Sequence, residues 1–109
     1  MKVHLDCVGC RLNQAEIELY ARQLEAAGHT LVAEPGAADL AVVNTCAVTA
    51  EAAADSRQRL RRAARAGARR VVATGCWATL APAAERTAAG GPEVVPNRRK
   101  DRLILDLLD

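Results

Sequence analysis

The strongest constraint on the fold of this chain is an alternation. Short runs rich in Val, Leu and Ile recur between longer segments with helical spacing, and the links between them are brief. Lys2-Val3-His4-Leu5-Asp6 reads as an alternating strand, and Cys7 to Leu12 as a loop in which Gly9 suits a tight turn. Asn13 is the expected N-cap of the first helix, with Glu16 completing a capping box and Leu12 and Ile17 forming a hydrophobic staple. Ile17, Tyr20, Leu24 and Ala27 follow at helical spacing, and Gly28 stops the helix. Thr30-Leu31-Val32-Ala33 is the next predicted strand. Leu40-Ala41-Val42-Val43 then forms a continuous apolar run of the kind found in buried parallel strands.

A second helix is predicted over about Ala50 to Ala66, capped by Thr49, with Glu51 and Asp55 near its positive end and Gly67 as terminator. Arg70 to Thr74 is the following strand. Pro82 opens a short helix reaching about Ala88, Gly90-Gly91-Pro92 breaks it, Glu93-Val94-Val95 is a last strand, and a final helix runs from Lys100 to Leu108. The expected architecture is α/β: an open, mainly parallel sheet of four to five strands with helices on both faces, a three-layer flavodoxin- or Rossmann-like arrangement. With 109 residues, half of them apolar, the chain supports one domain. Tyr20 and Trp77 are the only aromatic residues, so the core rests on aliphatic side chains and alanine.

No apolar run approaches the ~20 residues of a bilayer span, and the first residues lack the apolar stretch of a secretion signal. A cytoplasmic, non-membrane protein is expected. In a reducing compartment the four cysteines favour metal or thiol chemistry over disulfides.

The placement of those cysteines is the informative pattern. Cys10 follows the first strand, Cys46 the third and Cys76 the fourth, all at carboxyl ends, where parallel sheets gather their loops and ligands. Three thiolates meeting at one point suit a cubane iron–sulfur cluster and leave one iron open to an external group. Gly9 and Gly75 precede two of the three and let the backbone approach such a cluster. Placement near helix starts favours the thiolate form. Any one cysteine alone reads equally well as a small buried apolar residue. Cys7 and Cys10 also make a C-x-x-C pair without the second pair that a zinc site needs, and His4 and His29 read as structural or solvent-exposed.

Gly9-Cys10-Arg11-Leu12-Asn13-Gln14, Asn44-Thr45-Cys46-Ala47-Val48-Thr49 and Thr74-Gly75-Cys76 resemble the three signatures of the amino-terminal domain of radical-SAM methylthiotransferases. The resemblance spans essentially the whole chain. Within the family, Ala47 to Glu51 and Asp55 to Gln58 are most similar to the branch that acts on N6-threonylcarbamoyladenosine beside the anticodon of tRNA. The resemblance implies a [4Fe-4S] cluster held by Cys10, Cys46 and Cys76 that supplies or activates the sulfur inserted at carbon 2 of that base. Cys7 stands where the family shows threonine and inherits no ligand role. Such enzymes also carry a radical S-adenosylmethionine core with a C-x-x-x-C-x-x-C motif and a second cluster, then an RNA-binding module. Neither is present in residues 1–109, so the chain is expected to be a fragment or isolated domain, inactive alone.

Seven arginines crowd into Arg57 to Arg70 although the formal net charge is only +2. Arg57, Arg61 and Arg65 recur every four residues and make a like-charged helical stripe, an expected contact for tRNA phosphates or else a solvated face. The opposite face, Ala53, Ser56, Leu60 and Ala64, is expected to pack on the sheet. Two other readings compete with the cluster domain: a non-catalytic RNA-binding or scaffolding domain with idle thiols, and a thiol oxidoreductase using Cys7 and Cys10.

Overall fold

The strand runs and helices alternate in space as they do in sequence. A computed structural model of the chain describes residues 1–9 and 11–108, the side chains at 11, 101 and 108 excepted. Strands β1 (Lys2–Cys7), β2 (Thr30–Leu31), β3 (Leu40–Thr45), β4 (Arg70–Gly75) and β5 (Glu93–Val95) form one sheet in the order β2-β1-β3-β4-β5. Their pairings are all parallel. This is the doubly wound order whose switch point lies between the first and third strands. The helices are α1 (Arg11–Ala26), α2 (Ala50–Ala66), α3 (Cys76–Leu80), α4 (Ala83–Ala88) and α5 (Leu103–Leu108), with 3-10 turns at Pro35–Ala37 and Asn97–Arg102.

Side-chain alternation along the strands splits the core into two layers. On one face Val3, Leu40, Val42 and Val72 pack against Tyr20 and Leu24 of α1 and Leu103 and Ile104 of α5. On the other, Val43 and Ala73 meet Leu60 of α2 and Trp77 and Ala78 of α3. All six residues of β3 are buried, as its continuous apolar run requires of a central strand. Helix α2 begins and ends where its caps predict. Thr49 Oγ1 accepts from the Ala52 N–H at 3.0 Å, and Gly67, left-handed, returns its N–H to the Ala63 and Ala64 carbonyls. Among the described residues no helix is long and apolar enough to cross a membrane.

Several local expectations are corrected. Helix α1 starts at Arg11, so Asn13 is an interior residue of its first turn, not the N-cap. Its amide is drawn inward instead, donating to the Val8 carbonyl at 2.7 Å and the Thr45 carbonyl at 3.2 Å. Leu12 is 67% exposed and does not serve as a staple residue. Cys7 is the last residue of β1 and not part of a loop. β2 stops at Leu31, both its residues being exposed at the sheet edge. Ala63, not Ala64, packs on the sheet, because the buried face of α2 runs through Ser56, Leu60 and Ala63. The last segment opens as a 3-10 turn at Asn97 and becomes α-helical only at Leu103. Helix α3 has no counterpart in the sequence reading, since its N-cap, Gly75, carries no side chain to signal it.

Leu24 and Leu12 lie on the same helix with opposite burial. Leu24→Ala is expected to lower unfolding stability by about 2–5 kcal/mol, and Leu12→Ala to stay within ~0.5 kcal/mol, as read from urea unfolding midpoints.

Candidate functional site

Parallel register levels the carboxyl ends of the three central strands. Cys7 pairs with Asn44 across β1 and β3, and Thr45 pairs with Gly75 across β3 and β4. Cys46 therefore leaves β3 beside the point where Cys76, the first residue of α3, leaves β4. The loop after β1 arrives at the same edge, at the switch point where open α/β sheets form their ligand crevice. Cys10 lies outside the described residues, but its neighbour Gly9 does not. A Cβ at Gly9 would stand 2.9 Å from Cys46 Sγ and 3.0 Å from Cys46 Cβ. The glycine is thus what lets the loop preceding Cys10 lie directly on the Cys46 sulfur.

Around these sulfurs runs a buried polar framework. The Asn13 amide ties Val8 of the first loop to Thr45 at the end of β3. Asn44, fully buried, donates to the Asn13 carbonyl at 3.2 Å and to Glu16 Oε1 at 3.4 Å. Glu16 is held in turn by Lys100 Nζ at 2.7 Å. Ser56, on α2, accepts from the Cys46 N–H at 3.0 Å and donates to the Cys46 carbonyl at 3.1 Å, gripping both backbone groups of that residue. Thr45 Oγ1 donates to the Thr74 carbonyl at 2.6 Å and accepts from the Ala78 N–H at 3.0 Å, joining β3 to β4 and α3. Gly75 adopts φ 95° and ψ −171°, a region open essentially to glycine alone, and a Cβ there would fall 2.2 Å from the Thr45 carbonyl oxygen.

This arrangement can present soft sulfur donors from separate loops to one small inorganic core. Cys46 is buried and Cys76 half-buried, neither in a disulfide. The donor chemistry suits iron, and the missing Cβ atoms of Gly9 and Gly75 keep the backbone close on both sides. Asn44 Oδ1 is buried with no hydrogen-bond partner among the described residues, beside the Gly75 backbone. Among the described residues, which exclude Cys10, no three His, Cys, Asp or Glu side chains are grouped to hold a metal ion. Cys76 is the first residue of α3, and Cys46 precedes the Thr49 cap of α2 by three residues.

The other candidates separate cleanly. His4 Nδ1 lies 3.2 Å from the Val32 carbonyl oxygen and His29 Nδ1 lies 2.8 Å from the N-terminal amine, both structural contacts. Arg59 bridges Asp55 and Asp6 and donates to the Cys7 carbonyl at 3.2 Å. Its hydrogen bond to Asp55 holds the guanidinium further toward the charged form; Asp6 adds to this and burial opposes it. A cleft of about 210 Å³ between β1 and α2 contains that network, with Glu34 and Arg62 paired at 3.6 Å on its rim. Arg57, Arg61 and Arg65 have no ion pair among the described residues, and Arg61 and Arg65 are exposed. Sequence reasoning missed Asn44, Thr45 and Ser56 as structural elements of the site. The available signal was the abrupt change from an apolar run to Asn44-Thr45, polar residues placed where the strand is still buried.

The chain matches the profile of "Uncharacterized protein family UPF0004" over residues 2–95. It is 35% identical over 105 residues to the threonylcarbamoyladenosine tRNA methylthiotransferase MtaB of Aquifex aeolicus, an alignment covering 95% of this chain and 26% of that protein. The Chlamydia pneumoniae protein of the same name is 36% identical over 102 residues, covering 92% of this chain and 24% of its own length. The ribosomal protein uS12 methylthiotransferase RimO of Roseiflexus castenholzii is 41% identical over 80 residues, covering 72% and 17%. The chain thus spans about a quarter or less of the length of these relatives.

Gly28 and Gly75 both have positive φ, but only Gly75 has no room for a methyl group. Gly75→Ala is expected to destabilise the chain by at least ~2 kcal/mol more than Gly28→Ala, measured by thermal or urea unfolding.

Proposed function

The chain belongs to the UPF0004 family, and from that premise we propose that it is the cluster-bearing amino-terminal domain of a tRNA methylthiotransferase. The observation that supports this reading is that Cys46 and Cys76 follow neighbouring strands at one sheet edge where the loop after β1 also arrives, so close that a Cβ at Gly9 would stand 2.9 Å from Cys46 Sγ. Cys10, Cys46 and Cys76 are the ligands of a [4Fe-4S] cluster, and when bound it supplies or activates the sulfur destined for carbon 2 of N6-threonylcarbamoyladenosine beside the anticodon. The residues of this chain hold that site together. Asn13 locks the first loop to β3, Ser56 fixes the Cys46 backbone, and the Gly75 turn sets the direction in which Cys76 leaves β4. Cys7, at the end of β1, is not a ligand.

The choice of tRNA substrate rests on the likeness of Ala47 to Glu51 and Asp55 to Gln58 to the threonylcarbamoyladenosine branch and on the names of the two MtaB relatives; a RimO protein of a Roseiflexus strain aligns over the whole chain at 36% identity, so alignment length does not separate the substrates. Arg57, Arg61 and Arg65 provide the phosphate contacts. Their like charges repel along α2, and a polyanion relieves that repulsion. The radical S-adenosylmethionine core, with its second cluster, and the RNA-binding module lie elsewhere in the longer cytoplasmic protein. Residues 1–109 alone do not complete the reaction.

Anaerobic reconstitution of the chain with iron and sulfide is expected to give a brown, oxygen-sensitive protein. Replacing Cys10, Cys46 or Cys76 singly by Ala abolishes stable cluster retention, while Cys7→Ala leaves iron content unchanged. A full cluster in Cys46→Ala would refute the ligand set. For the arginine stripe, Arg57→Ala, Arg61→Ala and Arg65→Ala combined is expected to weaken tRNA binding and flatten its salt dependence, measured by filter binding across a salt series. Unchanged affinity and slope would leave the stripe as a solvated face.

A further inference from the structure

The segment that follows β5 lies beyond the residues matching the family, yet it returns to the cysteine edge. There Asn97 points its amide at Cys76: Nδ2 to Sγ is 3.9 Å, within range of an N–H···S hydrogen bond. The approach is secured at several points. Thr74 Oγ1 donates to the Val95 carbonyl at 2.7 Å, fixing the strand end just before Pro96. The Asn97 N–H donates to Thr79 Oγ1 at 3.0 Å, and that hydroxyl donates to the Gly75 carbonyl at 2.8 Å. Thr79 therefore couples the Asn97 backbone to the residue immediately before Cys76. At the other end of the turn, Lys100 is buried: its Nζ is 2.7 Å from Glu16 Oε1 and its carbonyl accepts from Tyr20 Oη at 3.0 Å.

We propose that Asn97 is a positioning residue of the cysteine site, a side-chain amide that donates to the Cys76 sulfur and tunes whatever that sulfur binds. The inference rests on the reading of Cys76 as a cluster ligand. A donor to a ligating sulfur withdraws charge from it and favours the reduced, more negative state of the cluster, so the amide raises the reduction potential. Thr79 acts one step further out by holding the Asn97 backbone, and the Lys100–Glu16 pair closes the turn onto α1.

The test is a redox titration of the reconstituted chain, monitored by electron paramagnetic resonance, with iron content and circular dichroism measured on every variant. Asn97→Ala is expected to keep its fold and iron and to shift the midpoint to more negative potential. Asn97→Asp, which puts a carboxylate where the amide donor stood, shifts it further in the same direction. Thr79→Val, nearly isosteric and lacking the hydroxyl, gives a smaller shift of the same sign. Potentials and spectra of Asn97→Ala and Asn97→Asp identical to the parent, at equal iron content, overturn the proposal and leave the cluster reading standing. Failure of the parent chain to take up iron overturns both.

Discussion

The organisation of the cysteine edge depends on one buried amide. Asn13 Nδ2 donates to the carbonyls of Val8, in the loop after β1, and Thr45, the last residue of β3, and the same asparagine returns its own carbonyl to Asn44. These groups are shielded from water, where an unmade hydrogen bond costs about 1–3 kcal/mol, so the loops are held in one arrangement. The apolar layers on either side of the sheet stabilise the domain. The asparagine pair gives its upper edge a defined shape.

That edge combines tight backbone packing with two unsatisfied polar groups. Gly9 and Gly75 bring main chain to within van der Waals contact of Cys46 and Thr45, and Ser56 occupies both backbone groups of Cys46. Asn44 Oδ1 and, on α3, Trp77 Nε1 are buried without a hydrogen-bond partner among the described residues. Such rigidity suits the proposed cluster site, because preorganised donors need little rearrangement to bind one small core. The arginine-rich helix serves two ends at once. Its inner residues Ser56, Leu60 and Ala63 seal the sheet, Arg59 is tied to Asp6 and Asp55, and Arg61 and Arg65 are exposed, with no ion pair among the described residues.

Much of the architecture was legible because local and global signals agreed. The continuous apolar run from Leu40 could be little other than a central strand, and Thr49 and Gly67 bracketed α2 to the residue. Where reading failed, tertiary contacts had overridden a local preference. Asn13 has the side chain of a cap but is used as a bridge between loops, and α1 begins two residues before it. Helix α3 has no capping side chain, and is held by the burial of Trp77 and Ala78 and by the Thr45 hydroxyl at its first turn. The placement of Cys46 and Cys76 at strand ends was readable from spacing. The polar framework around them was not, since nothing in Asn44 or Thr45 taken singly announces a buried hydrogen bond across 29 to 33 residues of chain, nor in Ser56 a pair of bonds to Cys46 ten residues away.

The central claim is that the sulfurs of Cys10, Cys46 and Cys76, far apart along the chain, share one inorganic core with one iron left open. Mössbauer spectroscopy of the iron-loaded chain tests it most directly, because it resolves iron sites by their ligands. The account expects a cubane cluster in which one iron differs from the rest and responds to added small thiols or sulfide. A spectrum of isolated iron–thiolate centres, or of a cluster whose irons are all alike and indifferent to external ligand, would contradict it.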